Sequence, residues 1–285
     1  MKTKTTMLII TDLLENLAID TPKEIVELLY KCEVSEYISG RLGANVYRLS
    51  QPDGCGLFLK LATGNAALEI ATEQNIIKTL YQLFPVPKLI HFAETSSYTL
   101  IITEELEGYP AYILKENETG EEAVYVVGKA LKKLHNISSL EKLNLPNGLD
   151  EELKQIDIAL QKSLIDVAQF QEKNSGRTPS EVFNQLCREQ QTHQTGCITH
   201  GDYCLPNILR QGLNLSGVID WGKAGMGDFH RDFSSIEGSI IRNFGDKMVQ
   251  LFYEAYGVSP CDIERDKILF YKKMDQFWYC LKMAQ

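Results

Sequence analysis

The hydrophobic pattern changes period about a third of the way along the chain, and that change limits what it can fold into. Up to residue 104 the apolar residues fall in short runs broken by glycine and proline, which predicts strands. A strand, a glycine-containing turn and a second strand are expected over Tyr37–Leu49, and a third strand over Leu57–Leu61. In the third strand Leu57, Leu59 and Leu61 share one face, with Phe58 and Lys60 on the other. Further strands are expected around Lys88–Ala93 and Tyr98–Glu104. A first helix is expected from Pro22 to about Tyr30, with Thr21 as its N-cap. A second is expected from about Ala66 to Phe84, ending at Pro85 and Pro87. Its stripe of Ile70, Glu73, Ile77, Leu80 and Phe84 contains a carboxylate, which is costly to bury without a partner.

Beyond Glu118 the period is mainly helical, over Glu121–His135, Glu151–Phe170 and Ser180–Glu189, and again after Phe233. Glu104–Pro110 reads as the linker. The expected class is therefore α+β. A small antiparallel sheet lobe with one internal helix covers residues 1–104, and a larger, mainly helical lobe covers 105–285. Hydrophobic residues at 44% and charged residues at 24% suit a soluble globular protein. No apolar run approaches the ~18 residues of a bilayer span. The apolar stretch Met7–Ile10 is too short for a signal peptide, so a cytoplasmic location is expected. Seven cysteines, an odd number without a C-x-x-C pair, argue against a zinc site or a disulfide framework. The net charge of −9 argues against nucleic acid and anionic membrane as partners and is compatible with a small cationic one. A monomer is expected, with a dimer left open.

One β-hairpin interrupts the helical half. Asn207-Ile-Leu-Arg210 and Leu215–Ile219 are apolar runs around the turn Gln211-Gly-Leu-Asn214. Asn207 opens the first strand, Asp220 closes the second, and Asp202 lies on the loop that enters the hairpin. Three oxygen-bearing side chains therefore converge on one mouth. Singly, each is a residue type that turns favour. Together they suit phosphoryl transfer, which needs positioning and charge neutralisation more than covalent participation. Magnesium binds hard oxygens, which Asn207 and Asp220 supply. A carboxylate beside them, Asp202, can orient a hydroxyl and accept its proton.

The string His200-Gly-Asp-Tyr-Cys-Leu-Pro-Asn207 continues through Ile219-Asp-Trp-Gly-Lys-Ala-Gly225, Gly227-Asp228 and Arg231-Asp232. It resembles the aminoglycoside phosphotransferases of the protein-kinase-like superfamily, particularly those acting on 3′- and 3″-hydroxyls. The resemblance implies a bilobal protein-kinase-like fold, ATP or GTP as donor, Mg2+ as cofactor and antibiotic resistance as the outcome. It implies that Lys60 contacts the nucleotide phosphates and that Glu73 pairs with Lys60, Glu69 being the rival one turn earlier. Gly40, Leu42 and Gly43 occupy the place of the nucleotide-covering loop, or simply close a hairpin. Glu105 and Leu106 match the hinge whose backbone holds a purine edge. His200 and Asp232 match residues that brace the catalytic loop, and His135 reads as structural. A protein kinase is disfavoured, because Asp-Phe-Gly and Ala-Pro-Glu are absent.

On the acceptor side the resemblance implies carboxylates for a cationic sugar. Lys223 fits the basic position after Asp220, and Glu172 and Asp275 are candidate ammonium partners. Gln276 stands where those relatives carry an acid, so one negative charge is missing. A kinase of a small metabolite hydroxyl, such as choline, methylthioribose or homoserine, is the alternative, and a nucleotide-binding pseudoenzyme a third reading.

Overall fold

The computed structural model describes residues 17, 20–39, 44–138, 145–190 and 196–282. Gly40, Leu42 and Gly43 lie outside the described residues. The chain divides into two compact units, Met1–Leu106 and Glu107–Gln285, so Glu105 and Leu106 end the first.

The first unit begins with α1 (Lys23–Lys31). Its N-cap is Pro22, whose carbonyl accepts from Ile25 and Val26, rather than the expected Thr21. The Thr21 hydroxyl is hydrogen-bonded to that of Tyr98 instead, which removes it from the helix end. Five antiparallel strands follow: β1 (Glu33–Ser39), β2 (Asn45–Ser50), β3 (Gly56–Ala62), β4 (Leu89–Glu94) and β5 (Thr99–Glu104). They are ordered β1-β2-β3-β5-β4. One face buries Leu57 and Leu59 with Leu100 and Ile102 against Ile25 and Leu29 of α1. Each such buried aliphatic side chain contributes about 1.5–3 kcal/mol. On β3, Lys60 alternates with these leucines and pairs in register with Ile101. That face meets α2 (Asn65–Leu80), whose Ile70, Glu73, Ile77 and Leu80 are all buried.

In the second unit, β6 (Tyr109–Pro110), β8 (Ile208–Gln211) and β9 (Asn214–Val218) form a three-stranded sheet in the order β6-β8-β9. The expected linker thus contains a strand. Buried Arg210 of β8 fastens the chain that follows, donating to Ile113 O at 3.0 Å and to Glu118 Oε2 at 2.9 Å. A second, two-stranded sheet joins β7 (Cys197–Thr199) to β10 (Gly225–Gly227). The helices are α3 (Gly120–His135), α4 (Gly148–Gln161), α5 (Val167–Lys173), α6 (Pro179–Glu189), α7 (His230–Phe244), α8 (Met248–Tyr256) and α9 (Arg265–Tyr279). At Gly128 a Cβ would lie 2.7 Å from the Ala255 Cβ and 2.9 Å from the Phe252 carbonyl, so α3 and α8 pack at a distance only glycine allows.

The expected single helix over Glu151–Phe170 is two helices. Ser163 has φ +55° in the break, and Asp166 caps α5 by accepting from Gln169 N–H at 3.0 Å. The intervening chain is held from outside: Asp166 N–H donates to Cys280 O at 2.7 Å and Lys282 N–H to Leu164 O at 2.8 Å. Leu153, Ile156, Phe170, Leu186, Met274 and Phe277 form the core beneath α4, α5, α6 and α9. Among the described residues no helix is long and apolar enough to cross a membrane.

Candidate active site

β7 delivers the chain into a loop that carries Asp202, then a 3-10 turn (Leu205–Asn207), then β8. Four hydrogen bonds close a ring around this loop. Asp202 N–H donates to His200 Nδ1 at 3.2 Å. His200 Nε2 donates to Ile219 O at 3.0 Å. Ile219 N–H donates to Asn207 O at 2.9 Å. Asn207 Nδ2 donates to Asp202 O at 3.0 Å. Because Nδ1 of His200 accepts, Nε2 carries the proton, and both ring nitrogens are engaged in holding backbone. The Trp221 ring packs on His200 with centroids 4.5 Å apart, and its indole N–H donates to Val218 O at 2.8 Å. The ring of bonds therefore brings together Asp202, Asn207 and the residue immediately before Asp220.

Asp232 anchors the loop from below. Its Oδ2 accepts from His200 N–H at 2.8 Å and its Oδ1 from Gly201 N–H at 2.9 Å. His135 Nε2 bonds Oδ2 at 3.0 Å, and His135 Nδ1 meets the Tyr256 hydroxyl at 2.9 Å. Burial alone would raise the Asp232 carboxyl, but the His135 bond, with the electrostatic pull and the backbone amide of His200, outweighs it and holds it below its ordinary range. Gly201 has φ +80°, and a Cβ there would stand 2.2 Å from Lys223 O. Gly201→Ala is expected to cost about 1–3 kcal/mol of stability. A lowered denaturation midpoint checks this, and an unchanged midpoint would mean that the Lys223 carbonyl gives way freely.

Asn207 commits Nδ2 to the loop, which leaves Oδ1 as the atom able to meet a cation. Asp220 is exposed, with φ +67°. One amide oxygen and one carboxylate form a hard-oxygen pair that fits magnesium and suits neither zinc nor copper. Among the described residues no three His, Cys, Asp or Glu side chains gather as a metal site, so such an ion would need oxygens from its ligand. Burial and the charge of Asp202 push the Cys204 thiol well up, which fits a packing residue.

In the first unit Lys60 Nζ bonds both oxygens of Glu73, at 3.0 and 2.8 Å. The buried acid on the apolar stripe of α2 thus has its counter-charge. Glu105 forms a bidentate pair with Arg48, at 2.8 and 2.6 Å. Its N–H donates to Gly56 O at 2.9 Å, so the Glu105 amide is already engaged. A ligand at this strand end would be left with the Glu105 carbonyl and the Leu106 backbone.

A small, mostly buried cavity beside the Asp202 loop is lined by Thr199, Gly201, Lys223, Glu152, Arg231 and Tyr271. Asp275 is held by Arg231 of this lining at 3.0 Å. Burial raises the Asp275 carboxyl against the pull of Arg231. Glu172 is exposed on α5. Sequence reasoning missed Glu152 and gave Arg231 no role. Glu152 follows Leu149 by three residues and precedes Ile156 by four, so it falls on the apolar side of α4 as Glu73 does on α2.

A family model described as the phosphotransferase enzyme family matches residues 34–271. An aminoglycoside 3′-phosphotransferase of Niallia circulans is 30% identical over 90% of this chain and 97% of its own length. One from Escherichia coli is 27% identical over 84% of this chain and 88% of its own. Among solved structures, an aminoglycoside 3′-phosphotransferase of type VIII aligns with a TM-score of 0.77 at 22% identity, covering 94% of this chain and 98% of the other. An aminoglycoside phosphotransferase from Streptomyces rimosus, solved with ADP and streptomycin, aligns with a TM-score of 0.66 at 20% identity over 84% and 94% of the two chains.

Proposed function

The chain belongs to the phosphotransferase enzyme family, and from that membership we propose that it moves the γ-phosphoryl group of ATP or GTP to a hydroxyl of an aminoglycoside, conferring resistance. The observation that carries this reading is the ring of hydrogen bonds that fixes Asp202 beside Asn207 and Ile219, the residue before Asp220. Asp202 orients the acceptor hydroxyl and takes its proton. Asn207 Oδ1 and Asp220 would hold Mg2+. When bound, that ion neutralises charge on the phosphate oxygens. Lys60, aligned by Glu73, grips the α- and β-phosphates, and Glu105 O with the Leu106 backbone meets the purine edge. The aminoglycoside rests on relatives bearing that name along 84–90% of this chain, and the net charge of −9 suits a cationic acceptor. The nucleotide donor places the reaction in the cytoplasm. One chain carries every residue invoked, so a monomer suffices.

The test is a panel of aminoglycosides together with choline, methylthioribose and homoserine, followed by ADP release and by the mass of the product. Phosphorylation of an aminoglycoside, first sought at the 3′-hydroxyl, is expected. Turnover confined to a metabolite would remove the antibiotic from the reading. Glu73→Gln is expected to raise the KM for ATP about tenfold while kcat changes less, because Lys60 loses its alignment. A larger effect from Glu69→Gln would place the functional pairing at Glu69.

A further inference from the structure

Glu152 lines the cavity beside the Asp202 loop and Asp275 shares its arginine, but neither is a bare anion. Arg231 donates to Glu152 through Nε at 3.0 Å and through a terminal nitrogen at 2.9 Å, and that same nitrogen reaches Asp275 at 3.0 Å. The Arg231 and Glu152 side chains are only 6% and 9% exposed. Trp278 donates its indole N–H to Glu152 at 2.9 Å, and Lys223 lies over the Trp278 ring, 4.7 Å from its centroid. The charge of Lys223 also acts on Asp275. Two carboxylates therefore face two cations. The set borders the reaction centre, since the charge of Asp202 acts on both Arg231 and Asp275.

A bare pair of carboxylates would draw an ammonium group. A pair already locked on a buried guanidinium would have to release it first, leaving a buried charge unmatched. We infer that Arg231 is a specificity-determining residue, which locks the carboxylates of Glu152 and Asp275, so that the acceptor turns hydroxyls rather than an ammonium group toward them. Asp275 is then a counter-ion of Arg231 and not an ammonium site. The inference rests on the proposed function for the acceptor and for its approach beside the Asp202 loop.

Calorimetric titration of the full chain with neamine, a small polyamine sugar, tests it. Asp275→Asn is expected to leave neamine affinity within about twofold of wild type, in the range of a side chain whose charge is already matched. Arg231→Met combined with Glu152→Gln removes one charge of each sign and releases Asp275 from the guanidinium, with Lys223 kept. That variant is expected to bind neamine about tenfold tighter, and adding Asp275→Asn is expected to abolish the gain. A tenfold loss in Asp275→Asn alone, or no gain in the double variant, would overturn the inference. Asp275→Asn introduces no new buried charge, so it decides the matter even if the double variant fails to fold. Wild-type turnover measured alongside separates the two readings: no phosphorylated aminoglycoside would contradict the proposed function, whereas the titration bears on the Arg231 cluster.

Discussion

Asp232→Ala is expected to destabilise the second unit by about 3–5 kcal/mol and to take phosphoryl transfer with it. Asp232 has no exposed surface, and His200 N–H, Gly201 N–H and His135 Nε2 all converge on it. Each donor left unmatched in the interior costs about 1–3 kcal/mol. The loop that carries Asp202 would lose its anchor with them, so kcat falls even in molecules that remain folded. The pH dependence has a definite sign. The native carboxyl lies below its ordinary range, so its contribution is complete above about pH 4 and is lost as pH falls through the lowered native value. The stability gap between wild type and Asp232→Ala is thus expected to be full at neutral pH and to close in acid, as denaturant unfolding at several pH values would show. A gap that widens in acid would mean that Asp232 is not held as the anion.

Much of this anchor could be anticipated from the order of residues. The change from strand to helix period separates the two units, and the hairpin between Asn207 and Asp220 follows from two apolar runs around a glycine turn. Glu73 was legible because a carboxylate on an apolar stripe demands a counter-charge, and Lys60 stands on the β3 face that α2 covers. The same signal marks Glu152. It is hidden because α4 begins at Gly148, three residues before the expected start at Glu151, so a helix read from Glu151 puts Glu152 in its first turn. The break between α4 and α5 was hidden for a different reason. No glycine or proline interrupts 161–166, and the turn depends on Ser163 in a left-handed conformation and on contacts with Cys280 and Lys282. Arg231 and Asp275 are 44 residues apart on α7 and α9, and their pairing depends on how those helices cross, which no local pattern encodes. The Arg231 cluster was therefore the least legible part of the candidate site, and the hairpin mouth the most.

Asp202→Ala is expected to have the largest effect on chemistry. Its backbone holds the loop together, with N–H on His200 and C=O on Asn207, and these bonds survive the substitution. What is lost is the carboxylate alone. Removing a positioned general base lowers turnover by about 10²–10⁴-fold. Nucleotide affinity is expected to persist, because Lys60, Asn207 and Asp220 are untouched. This combination separates a base from a residue that merely supports the fold, for which both quantities would fall together. The most direct measurement is single-turnover transfer of the γ-phosphoryl group from magnesium-ATP to the acceptor, in wild type and Asp202→Ala, with nucleotide affinity measured on the same samples. Transfer slowed by about 10²–10⁴-fold at nearly unchanged affinity is the predicted result; transfer at the wild-type rate would contradict the assignment of Asp202 as the base.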